Sequence, residues 1–107
     1  VRKEMEIKNI LTRQKPDAIF ASDDLTAILV IKIAQELGIS VPEELKVIGY
    51  DGTYFIENYY PQLATIKQPL EEIACLTVDL LLQKIAGKEV ATTGYFLPVT
   101  LLPGKSI

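Results

Sequence analysis

The sequence predicts an α/β fold with a mainly parallel sheet and flanking helices, and three observations lead there. Short apolar runs at 18–21, 46–50 and 63–67 have the length and composition of strands. Helix-period segments at 25–37 and 70–86 alternate with them. Parallel strands need a crossover of a dozen or more residues, usually a helix and nearly always right-handed, and these segments supply that length. The first strands are apolar throughout, which predicts cover on both faces.

Taken in order, residues 1–15 form a charged segment with Ile7, Ile10, Leu11 and Gln14 at helical spacing, and Pro16 stops it, so a surface helix is expected. The first strand, 18–21, runs into Ser22-Asp23-Asp24, whose side chains can cap a helix that begins near Leu25 and ends before Gly38. After the Val41-Pro42-Glu43-Glu44 turn, 46–50 is a second strand closed by Asp51-Gly52. The third strand follows Pro61. Pro69 then opens the clearest helix of the chain, with Leu70, Ile73, Ala74, Leu80, Leu81 and Ile85 as its apolar set. A final strand is expected over 95–102, where Pro98 marks an edge or a bend.

Composition narrows the function. At 107 residues the chain is one unit, and 49% hydrophobic with 23% charged residues is ordinary for a packed domain. Eleven basic against fourteen acidic residues give a net charge of −3, a field that opposes a polyphosphate backbone, so this chain is not expected to bind nucleic acid directly. Cys75 stands alone and there is no His, which excludes an intramolecular disulfide and the usual Cys/His zinc sites. The apolar stretch 27–31 is broken by Lys32, far short of the roughly 20 residues a membrane span needs. A start at Val1 within a charged segment reads as part of a longer protein, and the cysteine usage suits a reducing cytoplasm. No enzyme is expected: there is no His base, no G-x-S-x-G elbow and no Gly-rich phosphate loop.

Three successive strands end in polar side chains: Ser22-Asp23-Asp24, Asp51, and Lys67-Gln68. Ligands of open parallel sheets lie outside the carboxyl ends of the strands, so these groups can converge on one pocket. Carboxylates accept hydrogen bonds and Gln both donates and accepts, which suits a hydroxyl-rich neutral ligand such as a sugar and suits an anion badly. Alternatively Asp24 is a helix cap and Asp51 the first position of a turn. The helix 25–37 is apolar nearly all round, and its surplus is covered either by another element of the chain or by a partner subunit. Tyr54, Phe55, Tyr59 and Tyr60 crowd the loop after the second strand, as interface residues or as loop packing. A phospho-acceptor receiver domain also collects acids at strand ends around magnesium. Spacing argues against it, because only one helix separates Asp23 from Asp51 and Gln68 intervenes between Lys67 and Pro69.

Four segments carry a resemblance: residues 16–24 (PDAIFASDD), 38–44 (GISVPEE), 47–51 (VIGYD) and 63–69 (LATIKQP). In this order they resemble the C-terminal part of the effector-binding domain of a lactose-repressor-type transcriptional regulator, whose fold is periplasmic-binding-protein-like type I with two α/β lobes and the effector in the cleft. The resemblance implies a C-terminal lobe over about 1–68, a crossover helix and final strand over about 69–107, and no DNA-binding domain in this chain. By position it implies sugar contacts at Asp23, Asp51 and Gln68, and a homodimer surface holding Leu25, Ile28, Lys32 and Tyr59. The family more often has Asn where Asp23 stands. It implies a cytoplasmic repressor with no cofactor and no metal, which meets operator DNA only through a helix-turn-helix domain outside this chain. An exported sugar-binding protein of a transporter shares the fold and is the alternative.

Overall fold

The computed structural model describes residues 1–90 and 94–107. A helix α1 (Arg2–Asn9) runs into a short π-helical turn (Ile10–Gln14), followed by β1 (Ala18–Phe20), α2 (Asp24–Glu36), β2 (Lys46–Asp51), α3 (Tyr54–Tyr59), β3 (Ala64–Lys67), α4 (Leu70–Ile85) and β4 (Thr100–Leu102). The sheet order is β1-β2-β3-β4. Strands β1, β2 and β3 are parallel, with Phe20 opposite Ile48 and Asp51 opposite Lys67. β4 joins antiparallel at the edge, with Ile66 opposite Leu101. The mainly parallel α/β class expected from the alternation of strands and helices is the class observed.

α2 packs against β2 and α1. It buries Ala27, Val30, Ile31, Ile33 and Ala34 in one core with Val47 and Leu63 of the sheet region and Ile7 and Leu11 of the N-terminal helical segment. Most of the apolar surplus of α2 is therefore covered within the chain, because α1 lies along it. Gly49 makes the close approach of α2 to β2 possible: a Cβ there would lie 3.3 Å from the Ala27 methyl and would collide with Asp24 Oδ1. At the opposite end of the sheet the chain terminus is stapled in. Ser106, 4% exposed, donates from Oγ to the Val47 carbonyl at 2.6 Å and accepts from the Ala64 N–H at 2.8 Å, while its carbonyl accepts from the Val47 N–H at 2.7 Å.

Three sequence expectations are corrected, and one expected helix stands apart from the core. β1 is covered on one face only: Ala18 is exposed and Phe20 is 67% exposed, touching Tyr50 edge-on at 6.3 Å. An apolar run cannot by itself say that a second layer is present. The aromatic segment after β2 is the short helix α3, with Ile56 buried and Phe55 stacked on Tyr59 at 5.2 Å. Of the strand expected over 95–102 only Thr100–Leu102 pairs, because Pro98 has no N–H for a ladder and the pairing begins after it. α4 forms over nearly the expected span, but none of its residues is buried. It projects from the body, which lengthens the molecule to 59 Å and raises the radius of gyration to 18.2 Å, against about 13 Å for a compact chain of this size.

Replacing Gly49 by Ala should destabilise the fold by about 1–3 kcal/mol, the range for overpacking a tight core. Urea denaturation would measure it, and an unchanged midpoint would mean that α2 can shift away from β2 without loss.

Candidate functional site

Because β1, β2 and β3 are parallel, their carboxyl ends lie on one side of the sheet. β2 ends at Asp51 and β3 at Lys67, opposite each other in register. One residue on, Gln68 closes the two ends together: its backbone N–H donates to the Asp51 carbonyl at 3.0 Å and its side-chain Nε2 donates to Asp51 Oδ1 at 2.7 Å. Both residues are half-buried. Among the described residues Asp51 Oδ2 receives no hydrogen bond, so the pair keeps acceptor capacity on Asp51 and the Gln68 carbonyl oxygen for a ligand. Lys67 turns aside to Glu57 at 2.7 Å, which leaves the strand ends with little free positive charge.

Asp51 has φ of 126°, a region that non-glycine residues rarely occupy. Such a conformation costs on the order of 1–3 kcal/mol and persists only where neighbours over-determine it. Gly52 follows with φ of 62°, and a Cβ there would stand 2.7 Å from Lys67 Cα, so glycine is required for the two chains to meet at this turn.

The paired acids after β1 divide their work. Asp23 is the N-cap of α2: its Oδ1 accepts from the Thr26 N–H at 2.7 Å and its Oδ2 from the Ser22 hydroxyl at 3.1 Å. The Thr26 N–H first, then the Thr26 hydroxyl, and after them the Ser22 hydroxyl and the charge of Lys3, hold the Asp23 carboxyl below the ordinary aspartate value. Asp24 is not a cap. It is the first residue of α2, only 4% exposed, with Oδ2 accepting from the Gly52 N–H at 2.9 Å and Oδ1 from the Thr65 hydroxyl at 2.5 Å.

The structure thus brings Asp51 and Gln68 into direct contact, and it sets Asp23 at the same end of the sheet with its carboxylate engaged by its own helix. Of the residues expected at a dimer surface, Leu25 is 73% and Tyr59 70% exposed, Lys32 is exposed, and Ile28 is partly buried against the core. Sequence reasoning missed the Asp24–Thr65–Gly52 connection. Its only trace was a polar Thr inside an apolar strand, and no spacing rule links that residue to an acid forty-one positions earlier.

All 107 residues match the model of the periplasmic binding protein-like domain. The chain belongs to that family. Its resemblance to the lactose-repressor type holds as well: it is 60% identical, over all of its length, to 33% of the sucrose operon repressor of Streptococcus mutans. It is 50% identical, over 95% of its length, to 32% of the sucrose operon repressor of Pediococcus pentosaceus. Among solved structures, a dimeric lac repressor with a C-terminal deletion is 30% identical, with a TM-score of 0.84, over 97% of this chain and 38% of that one. A complex of the transcriptional regulator CelR with cellobiose is similar too, at 27% identity and a TM-score of 0.84, over 97% of this chain and 32% of that one. The chain spans about a third of the length of the curated relatives it matches. Among the described residues no helix is long and apolar enough to cross a membrane.

Because the folded-state carboxyl of Asp23 ionises below its unfolded value, its capping contribution is complete above the unfolded value and is lost as pH falls through the lowered one. Asp23→Ala should therefore cost about 0.5–2 kcal/mol at neutral pH, the usual loss for a cap, and progressively less in acid. Denaturant titrations of both forms across pH would show the two stabilities converging; a difference that is constant down to acid pH would assign the loss to something other than the ionised cap.

Proposed function

We propose that this chain is part of the effector-binding and dimerisation domain of a sugar-responsive, DNA-binding transcriptional repressor. The Asp51–Gln68 pair carries the reading. It stands at the carboxyl ends of two adjacent parallel strands, joined at 2.7 Å, where open α/β sheets take their ligands. It offers acceptors and amide donors with little net positive charge nearby, which is a surface for hydroxyl groups. Relatives named as sucrose operon repressors support a sugar of the sucrose class as effector. Asp23 lies at the same edge and contributes acceptor capacity from a carboxylate that the helix cap keeps ionised.

In this reading residues 1–68 belong to one lobe of a two-lobe sensor, and 69–107 carry the crossover through α4 and the return through β4. Effector in the cleft favours one lobe arrangement over another, and the dimer passes that difference to operator-binding heads outside this chain. The surface of Leu25, Ile28, Lys32 and Tyr59 makes the homodimer. The protein acts in the cytoplasm, uses no cofactor and catalyses no reaction.

Two experiments on the full-length protein test this. In titration calorimetry with pentoses, hexoses and disaccharides including sucrose, Asp51→Asn should raise the dissociation constant roughly 10- to 150-fold, the loss of about 1.5–3 kcal/mol from a charge-assisted hydrogen bond. Gln68→Ala should lose the smaller amount of a neutral hydrogen bond, about 0.5–1.5 kcal/mol. A sugar bound equally well by wild type and Asp51→Asn, at unchanged melting temperature, would remove Asp51 from the site.

For the dimer, a charge buried without a partner costs several kcal/mol. Leu25→Asp, at an exposed position, and Ile28→Asp should both sediment as monomers. A folded dimer in both variants would place the interface elsewhere.

A further inference from the structure

We propose that Asp24 and Thr65 are positioning residues for the effector site, holding the Asp51–Gly52 backbone so that the Asp51 carboxylate meets Gln68. The inference rests on the reading of Asp51 and Gln68 as effector contacts, and it begins from the φ of 126° at Asp51. An L-residue released from its neighbours leaves that conformation, and its side chain turns with the backbone. Restraint is supplied from both sides of the peptide group that joins Asp51 to Gly52. On one side, the Gln68 N–H binds the Asp51 carbonyl at 3.0 Å. On the other, the next N–H, that of Gly52, is bound at 2.9 Å by Asp24 Oδ2.

Asp24 can serve as this anchor because it is itself fixed. Its backbone lies in the first turn of α2, where the helix dipole favours a negative charge. Its second oxygen is taken by the Thr65 hydroxyl, so the carboxylate plane cannot rotate without losing one hydrogen bond or the other. Thr65 is wholly buried in β3, two residues before Lys67, and Gly49 leaves the space the carboxylate occupies. The network therefore connects α2, the turn after β2, and β3, and both of its side chains are buried.

The test uses the full-length protein, with sucrose as the titrated probe and amide hydrogen exchange read by mass spectrometry. Thr65→Val keeps the shape of the side chain and removes the donor; Thr65→Ser keeps the donor. Thr65→Val should speed exchange in the segment containing Gly52 at least tenfold, leave the Val47 segment at the wild-type rate, and weaken sucrose binding at least tenfold. Thr65→Ser should restore both. Should Thr65→Val not fold, Thr65→Ala is read in the same way. Gly52 exchange that is unchanged, or that rises only in step with Val47, would reduce the network to general stability and overturn the proposal. The exchange measurement needs no sugar, so it decides whether the network holds Gly52 even where sucrose does not bind; sucrose binding that is weakened by Asp51→Asn but not by Thr65→Val would overturn the positioning role. Sucrose binding that is insensitive to Asp51→Asn would instead remove the effector reading.

Discussion

A carboxylate buried among protein groups, with no cation beside it among the described residues, must find hydrogen-bond donors or be expelled. Asp24 finds two, the Gly52 N–H and the Thr65 hydroxyl, and they come from the turn after β2 and from β3. Three elements that are remote in sequence are thereby held at fixed relative positions at the end of the sheet where ligands of this fold class bind. Around that point the small residues make sense: Gly49 admits the carboxylate and Gly52 admits the close pass of β3. The apolar core beneath gives the bulk of the stability through burial of Val30, Ile33, Val47 and Leu63. That burial is non-directional, and it cannot orient a side chain the way paired hydrogen bonds can.

The division between the two acids follows from one residue of helical geometry. Asp23 precedes the helix, so its side chain folds back onto the free N–H of Thr26. Asp24 has entered the helix, so its side chain leaves the axis toward the sheet.

The opposite property, surface left uncovered, is concentrated on α4 and on the outer face of β1. α4 carries Leu70, Val78, Leu81, Leu82 and Ile85 with more than half of each exposed, and Phe20 stands on the outer face of β1. Isolated exposed apolar residues are ordinary, but a sixteen-residue helix with none buried is not. The sucrose operon repressor it matches is about three times as long.

What the sequence by itself determined is the sequence of strands and helices, since apolar runs of strand length, helical periodicity, the Asp cap, Pro16 and Pro69 are local signals that act within a few residues. It also brought Asp51 and Gln68 to notice, because residues that end parallel strands share an edge whatever the loops between them do. It could not show that α3 forms, because a six-residue aromatic segment gains its helical state from burying Ile56 rather than from any propensity of its own. Nor could it show that β1 is covered on only one face. Only the tertiary structure decided which of the two adjacent acids is enclosed and that Thr65 is its partner. That pairing depends on the distance between α2 and β3, which is set by the packing of Ala27 against Gly49 and by register, and no pattern along the chain encodes a distance between elements forty residues apart.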